Sequence, residues 1–162
     1  MDPATWGTLA AVAVTASLPF YLYGAAIVLY ADVVTWDVLV YHLQVVGTGL
    51  VLTTVPVAGW MVPRLLGGQF GGLAVLHAFF GLQAYALLTF ALTGIVRIFQ
   101  VKWTHDLYRD PDPERDLNDL HENMADWRRR LRVGVAGYVA CWVVAWVIGM
   151  VRYVNLYDVP VV

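Results

Sequence analysis

Four uninterrupted apolar stretches, approximately Thr8–Tyr30, Val38–Val62, Gly71–Ile98 and Val133–Val154, dominate this chain of 162 residues. Each reaches the roughly 20 helical residues needed to cross a hydrocarbon layer of about 30 Å. Spanning strands are short and alternate polar with apolar, whereas these stretches are continuous, and a helix satisfies its own backbone in lipid. The expected fold is all-α: a four-transmembrane-helix up-and-down bundle, forming one integral membrane domain over residues 1–162. Composition agrees, with 60% hydrophobic and 14% charged residues and a mean hydropathy of +0.64. Soluble domains hold roughly 45–50% apolar and about 25% charged residues, and a core this small cannot hide the excess.

The same numbers exclude several classes. One cysteine, Cys141, rules out a disulfide scaffold. A net charge of −2 and a pI near 6.0 rule out a nucleic-acid partner. Nine arginines stand against the single Lys102, and ten aspartates against Glu114 and Glu122, a halophile-like composition that suggests a salt-adapted prokaryote. The leader Met1–Trp6 carries no basic residue and the stretch after it exceeds a secretory signal core, so it reads as a first span. Pro19 and Pro56 should kink their helices, with Thr15, Ser17, Thr53 and Thr54 placed to take up the freed carbonyls.

Orientation follows from the basic residues. Eight of the ten, counting Arg97 at the end of the third stretch, lie towards the segment between the third and fourth stretches, and only Arg64 and Arg152 lie on the opposite side. This places the 99–132 loop in the cytoplasm, both termini outside, and the protein in the cell membrane. Asp110–Asp116 is charged and broken by proline, a solvated turn. After it, Asn118 or Asp119 can cap an amphipathic helix with Leu120, Met124, Trp127 and Leu131 on one face, lying among headgroups or extending the last span. Trp36, Trp60 and Trp103 read as interfacial belts, while Trp142 and Trp146 sit deeper.

An ionisable residue inside a span is a functional candidate. His42 shares a face with Val46, Gly49 and Thr53, and His77 with Gly81, Ala84 and Leu88. Small residues one and two turns beyond a histidine leave room for a flat macrocycle such as haem b. They equally let two helices pack closely around a hydrogen-bonded imidazole. His42 and His77 differ too much in depth to share one iron. The partners open to His42 are His105 and His121, and His121 reaches it only if the loop folds back. In the last span, Gly137, Cys141, Ala145 and Gly149 recur every four residues as a groove that packs an internal helix or a partner subunit. Arg128, Arg129, Arg130 and Arg132 form a headgroup anchor, with a clamp for haem propionates as the sharper reading. Gly67–Gly72 lacks the lysine of a phosphate loop and reads as an outer turn; no CxxC, HExxH or deep carboxylate relay is present.

With His42 opening the second span, His77 early in the third, a basic segment before the fourth, and Trp142, Gly149 and Tyr153 within it, the chain resembles a known group over Tyr41–Tyr153. These are small four-helix prokaryotic membrane proteins associated with haem–copper oxidase assembly; cytochrome b561-like bundles are more distantly similar. That group carries a histidine in the basic segment where this chain reads Trp127-Arg128-Arg129-Arg130-Leu131. If that histidine is a ligand, this chain keeps the bundle and lacks the site. The resemblance implies a non-catalytic accessory subunit or assembly factor of a respiratory electron-transfer complex, with other membrane subunits or a second copy as partner. The alternative is a b-type haem or copper-binding electron carrier using His42 with His105 or His121.

Overall fold

The computed structural model describes residues 2–67, 71–114 and 116–157. Helix α1 runs Pro3–Leu29, α2 Trp36–Pro56, a π-helical turn Val57–Met61, α3 Val62–Leu66, α4 Gly72–Thr104 and α5 Met124–Tyr157. A 3-10 turn, Leu117–Leu120, precedes α5. Four helical stretches, Pro3–Leu29, Trp36–Leu66, Gly72–Thr104 and Met124–Tyr157, are long and apolar enough to cross a membrane. The all-α four-span bundle expected from the sequence is thus observed, with longer helices than the apolar stretches alone predict. At 1.5 Å per residue the 34 residues of α5 extend about 51 Å, well beyond the hydrocarbon layer.

The extra length of α5 is the segment expected to be amphipathic. Asp116, rather than Asn118 or Asp119, supplies the side-chain cap there, accepting from the Asn118 N–H at the 3-10 turn. Met124 is fully buried, and the α5 backbone from Trp127 to Leu131 lies against Gly94 of α4. The apolar face therefore packs on α4 as a continuation of the last span, and it is not free to lie among headgroups. Arg115, inside the expected solvated turn, and the centre of the 67–72 turn fall outside the described residues.

The bundle is two helical hairpins. In the first, α1 crosses α2 at Gly24, where a methyl group would stand 2.5 Å from Val46 Cγ2. In the second, α5 packs along α4, and a methyl on Gly134 would stand 2.7 Å from the Ala91 nitrogen. Such close approach is what holds helices together in lipid, which supplies no hydrophobic drive between them. The hairpins meet along α1 and α5, through Tyr21 edge-on to Tyr138 and Trp142, Trp146 donating to Thr15 at 3.1 Å, and the Thr8 and Tyr153 hydroxyls 2.8 Å apart. A second tie lies at the end carrying the 99–132 segment. There Trp36 stacks among Phe99, Trp103 and Tyr108, and its N–H donates to the Tyr108 carbonyl at 3.0 Å. Trp36 and Trp103 are thus an inter-helix clasp, a more specific role than an interfacial belt. Asp106, at φ 55°, takes the left-handed position that ends α4.

The prolines act differently from expectation. Helix α1 continues through Pro19, and α2 passes at Pro56 into the π turn. Instead of capping the freed carbonyls, the nearby hydroxyls form a buried chain between helices. The Tyr21 and Thr53 hydroxyls lie 3.1 Å apart, Thr53 donates to Ser17 at 2.9 Å with the Gly49 carbonyl also within 3.1 Å, and Ser17 donates to the Val14 carbonyl at 2.7 Å.

Candidate functional site

The four histidines occupy four different settings. His42, on α2, donates from Nδ1 to the Gly24 carbonyl at 2.8 Å, and only the close α1–α2 crossing at Gly24 brings that backbone within reach. His77, on α4, receives a hydrogen bond from Arg152 of α5, with Nη1 and Nδ1 3.2 Å apart. Because guanidinium has no acceptor, Nδ1 must accept, and the ring proton of a neutral His77 sits on Nε2. That nitrogen lies over Gly149, where a methyl group would be 3.0 Å away. His105 follows the end of α4, exposed, with Nδ1 on the Val101 carbonyl. His121 rests on the Trp127 ring, centroids 4.4 Å apart, and accepts from the Asn123 N–H. The fold-back that would carry His121 into the bundle does not occur, and the structure pairs His42 with neither His105 nor His121. Among the described residues no group of three histidines, cysteines or carboxylates is gathered to hold a metal.

The groove of the last span is filled from within. Gly137 faces Leu87 and Gly149 faces His77, both of α4, while Ala145 is buried and Cys141 is packed against the Ala84–Tyr138–Trp142 cluster. Of the two helices that could pack on this groove, the internal one, α4, lies against Gly137 and Gly149. Gly134, which the every-fourth-residue pattern did not include, makes the closest approach of the α5 glycines. A second row missed in the sequence is aromatic: Tyr138, Trp142, Trp146, Tyr153 and Tyr157 turn towards α1. Its spacings of four, four, seven and four are helical, and that periodicity was the available signal. Helix α5 is thus the hub, offering small residues to α4 and aromatic residues to α1. Of the basic run, Arg129, Arg130 and Arg132 are exposed and Arg128 is half-buried.

Two features have the makings of a site. The first is a partly open cavity of about 140 Å³ at the end carrying the termini. All four spans contribute to its wall, with Ala10 and Val14 from α1, Trp60 from the π turn, His77 from α4, and Trp146 and Arg152 from α5. The π turn adds a residue to one helical turn. In that segment Trp60 stacks on Trp6 with centroids 6.0 Å apart, and the Arg64 guanidinium lies 4.5 Å above the Trp60 ring.

The second is the outward face of α4. Phe79, Gln83, Phe90, Thr93 and Arg97 follow one another at helical spacing and are all exposed. Gln83 lies at the centre of the third apolar stretch, and among the described residues nothing hydrogen-bonds its amide. Gln44, exposed on α2, is in the same condition about two turns into its helix.

Comparison with known proteins adds one finding. No curated protein and no solved structure matches the chain. A family described as a domain of unknown function, DUF7321, matches residues 3–158. That match runs from the first residue of α1 to just past the last of α5, and the chain belongs to the DUF7321 family.

Proposed function

We propose that this is a non-catalytic multi-pass membrane protein acting as an accessory subunit or assembly factor of a respiratory electron-transfer complex. In this reading it sits in the cell membrane with both termini outside and residues 99–132 in the cytoplasm, and the outward face of α4 lies against a helix of a larger membrane subunit. The observation that carries the reading is Gln83. An amide taken out of water without a partner costs about 1–3 kcal/mol in proteins, and lipid tails offer no acceptor or donor. A neighbouring helix does, and Gln83 is flanked by Phe79 and Phe90, which supply apolar contact one to two turns away on the same face. The respiratory assignment rests on the resemblance over Tyr41–Tyr153, and the orientation on the basic residues of 99–132.

A photo-crosslinking residue in place of Gln83, in the native membrane, tests the reading. Capture of a larger subunit of an electron-transfer complex, reduced several-fold when Phe79→Ala and Phe90→Ala are added, is the expected result. Crosslinks to lipid only, or only to a second copy of this chain, overturn it.

A further inference from the structure

The cavity at the termini end has a chemistry that the proposed partner does not use, and a ligand there is independent of that partner. Arg152 is a cation in the last part of a helix long and apolar enough to span a membrane. Among the described residues no carboxylate pairs with it. Its hydrogen bond runs to His77 Nδ1, a neutral acceptor that occupies one of five guanidinium N–H groups. This bond fixes the direction of the guanidinium, and Gly149 lets the imidazole lie close enough to α5 to make it. Arg64 lines the same cavity, held over Trp60. The same lining includes the apolar Ala10, Ala11 and Val14 of α1 and Trp146 of α5, which lie further along their spans from the chain ends than Arg152. A charged rim over an apolar floor suits a molecule that is itself divided in that way.

We infer that this cavity binds an anionic amphiphile, its phosphate on Arg152 beside Arg64 and its hydrocarbon chain along Ala11 and Val14. Guanidinium matches phosphate with two parallel N–H···O bonds and desolvates more readily than an ammonium, which suits a site at the edge of the hydrocarbon. The cavity is partly open, and Ala11 and Val14 of its wall belong to a helix long and apolar enough to span a membrane. The phosphate could reach the site as a lipid headgroup or as a free ion, and the two differ in their need for the apolar floor.

The test uses the full chain in nanodiscs of phosphatidylcholine, titrated with phosphatidylglycerol while tryptophan emission and the thermal midpoint are followed. Trp60 and Trp146 line the cavity and report on its filling. Phosphatidylglycerol should shift the emission and raise the midpoint, and Arg152→Gln should weaken its apparent affinity at least tenfold. Arg152→Lys, which keeps the charge and loses the two-pronged contact, should fall between. Arg130→Gln, at the other end of the molecule, should change the affinity less than twofold. Should Arg152→Gln fail to fold, Ala11→Phe fills the floor and leaves both arginines in place, and it should abolish the lipid response. Equal shifts with added phosphatidylcholine, an unchanged affinity in Arg152→Gln, or an equal loss in Arg130→Gln would each overturn the inference. So would inorganic phosphate at millimolar concentration giving the full response in native protein and in Ala11→Phe alike, because the site would then be for the free ion.

Discussion

At the scale of single residues, this protein spends its polar side chains on joining helices. The Thr53 hydroxyl contacts Tyr21, Ser17 and the Gly49 carbonyl, so Thr53→Val removes all three contacts and deprives Ser17 and Tyr21 of a hydroxyl partner in a buried place. The expected loss is about 1–2 kcal/mol, read as a lower thermal midpoint in detergent, and Ser17→Ala added to it should cost less than it does alone. His42→Ala breaks the 2.8 Å bond to Gly24 and should cost about 1 kcal/mol. The reduced absorption spectrum of the purified protein should be the same with and without that substitution; an α-band lost in His42→Ala would restore the haem reading. Asp2 caps α1 with its carboxylate, and the Thr5 hydroxyl together with the Thr5 N–H, 2.7 Å away, holds its pKa below the ordinary 3.8. A depressed carboxylate stabilises the fold above its unfolded pKa and ceases to do so as pH falls through the lower folded value. Amide exchange at Thr5 should therefore accelerate relative to mid-helix amides as the pH drops below about 3.8, and Asp2→Ala should show that faster exchange already at neutral pH. Residue roles were the least legible level in the sequence. The positions of His42 and His77 were evident, but their partners, Gly24 and Arg152, lie 18 and 75 residues away and no periodicity connects them.

At the scale of elements, legibility was high for existence and type and lower for length. Continuous apolar runs announce helices, but a spanning helix does not stop where apolarity stops. The polar residues 99–104 and 124–132 remain helical because α4 and α5 go on packing against each other beyond the apolar stretches, Gly94 against the Trp127 carbonyl. The groove on α5 was visible as a row of small residues, yet spacing alone could not say which helix fills it. Its closest contact, Gly134, stood outside the row as read. Gly134→Ala would press a methyl group to within 2.7 Å of the Ala91 nitrogen and 2.8 Å of the Leu87 carbonyl oxygen, and backbone atoms cannot swing aside. It should destabilise the protein by about 1–3 kcal/mol, measured by unfolding in mixed micelles. Gly47→Ala, with nothing within 4 Å, should be near neutral.

For the molecule as a whole, the unit of construction is the hairpin. The α1–α2 and α4–α5 pairs are each closed by interlocking backbones, whereas the seam between them is made by side chains reaching across: Thr8 to Tyr153, Trp146 to Thr15, and Tyr157 to the Pro3 carbonyl. A protease site placed between Leu66 and Gly72 should therefore yield, after cleavage of the folded protein, two fragments that still elute together. Trp146→Phe, which deletes the indole N–H, should shift that association to dissociation at lower detergent or temperature. Fold class and four-span organisation were fully legible from the sequence, since hydrophobicity over 20 residues is a property of the chain alone. Which two helices form each pair, and that a cavity opens where the pairs meet, are properties of the folded assembly.

That cavity has a bearing on manufacture. During synthesis the first hairpin can close while the rest of the polypeptide is still on the ribosome, but the pit between hairpins needs Gly7 and Ala10 from the earliest span and Arg152 from the final one. It comes into being only once the last helix has been threaded and docked. A truncated or wrongly inserted copy has no pit at all, so occupancy of that site distinguishes a finished molecule from an unfinished one.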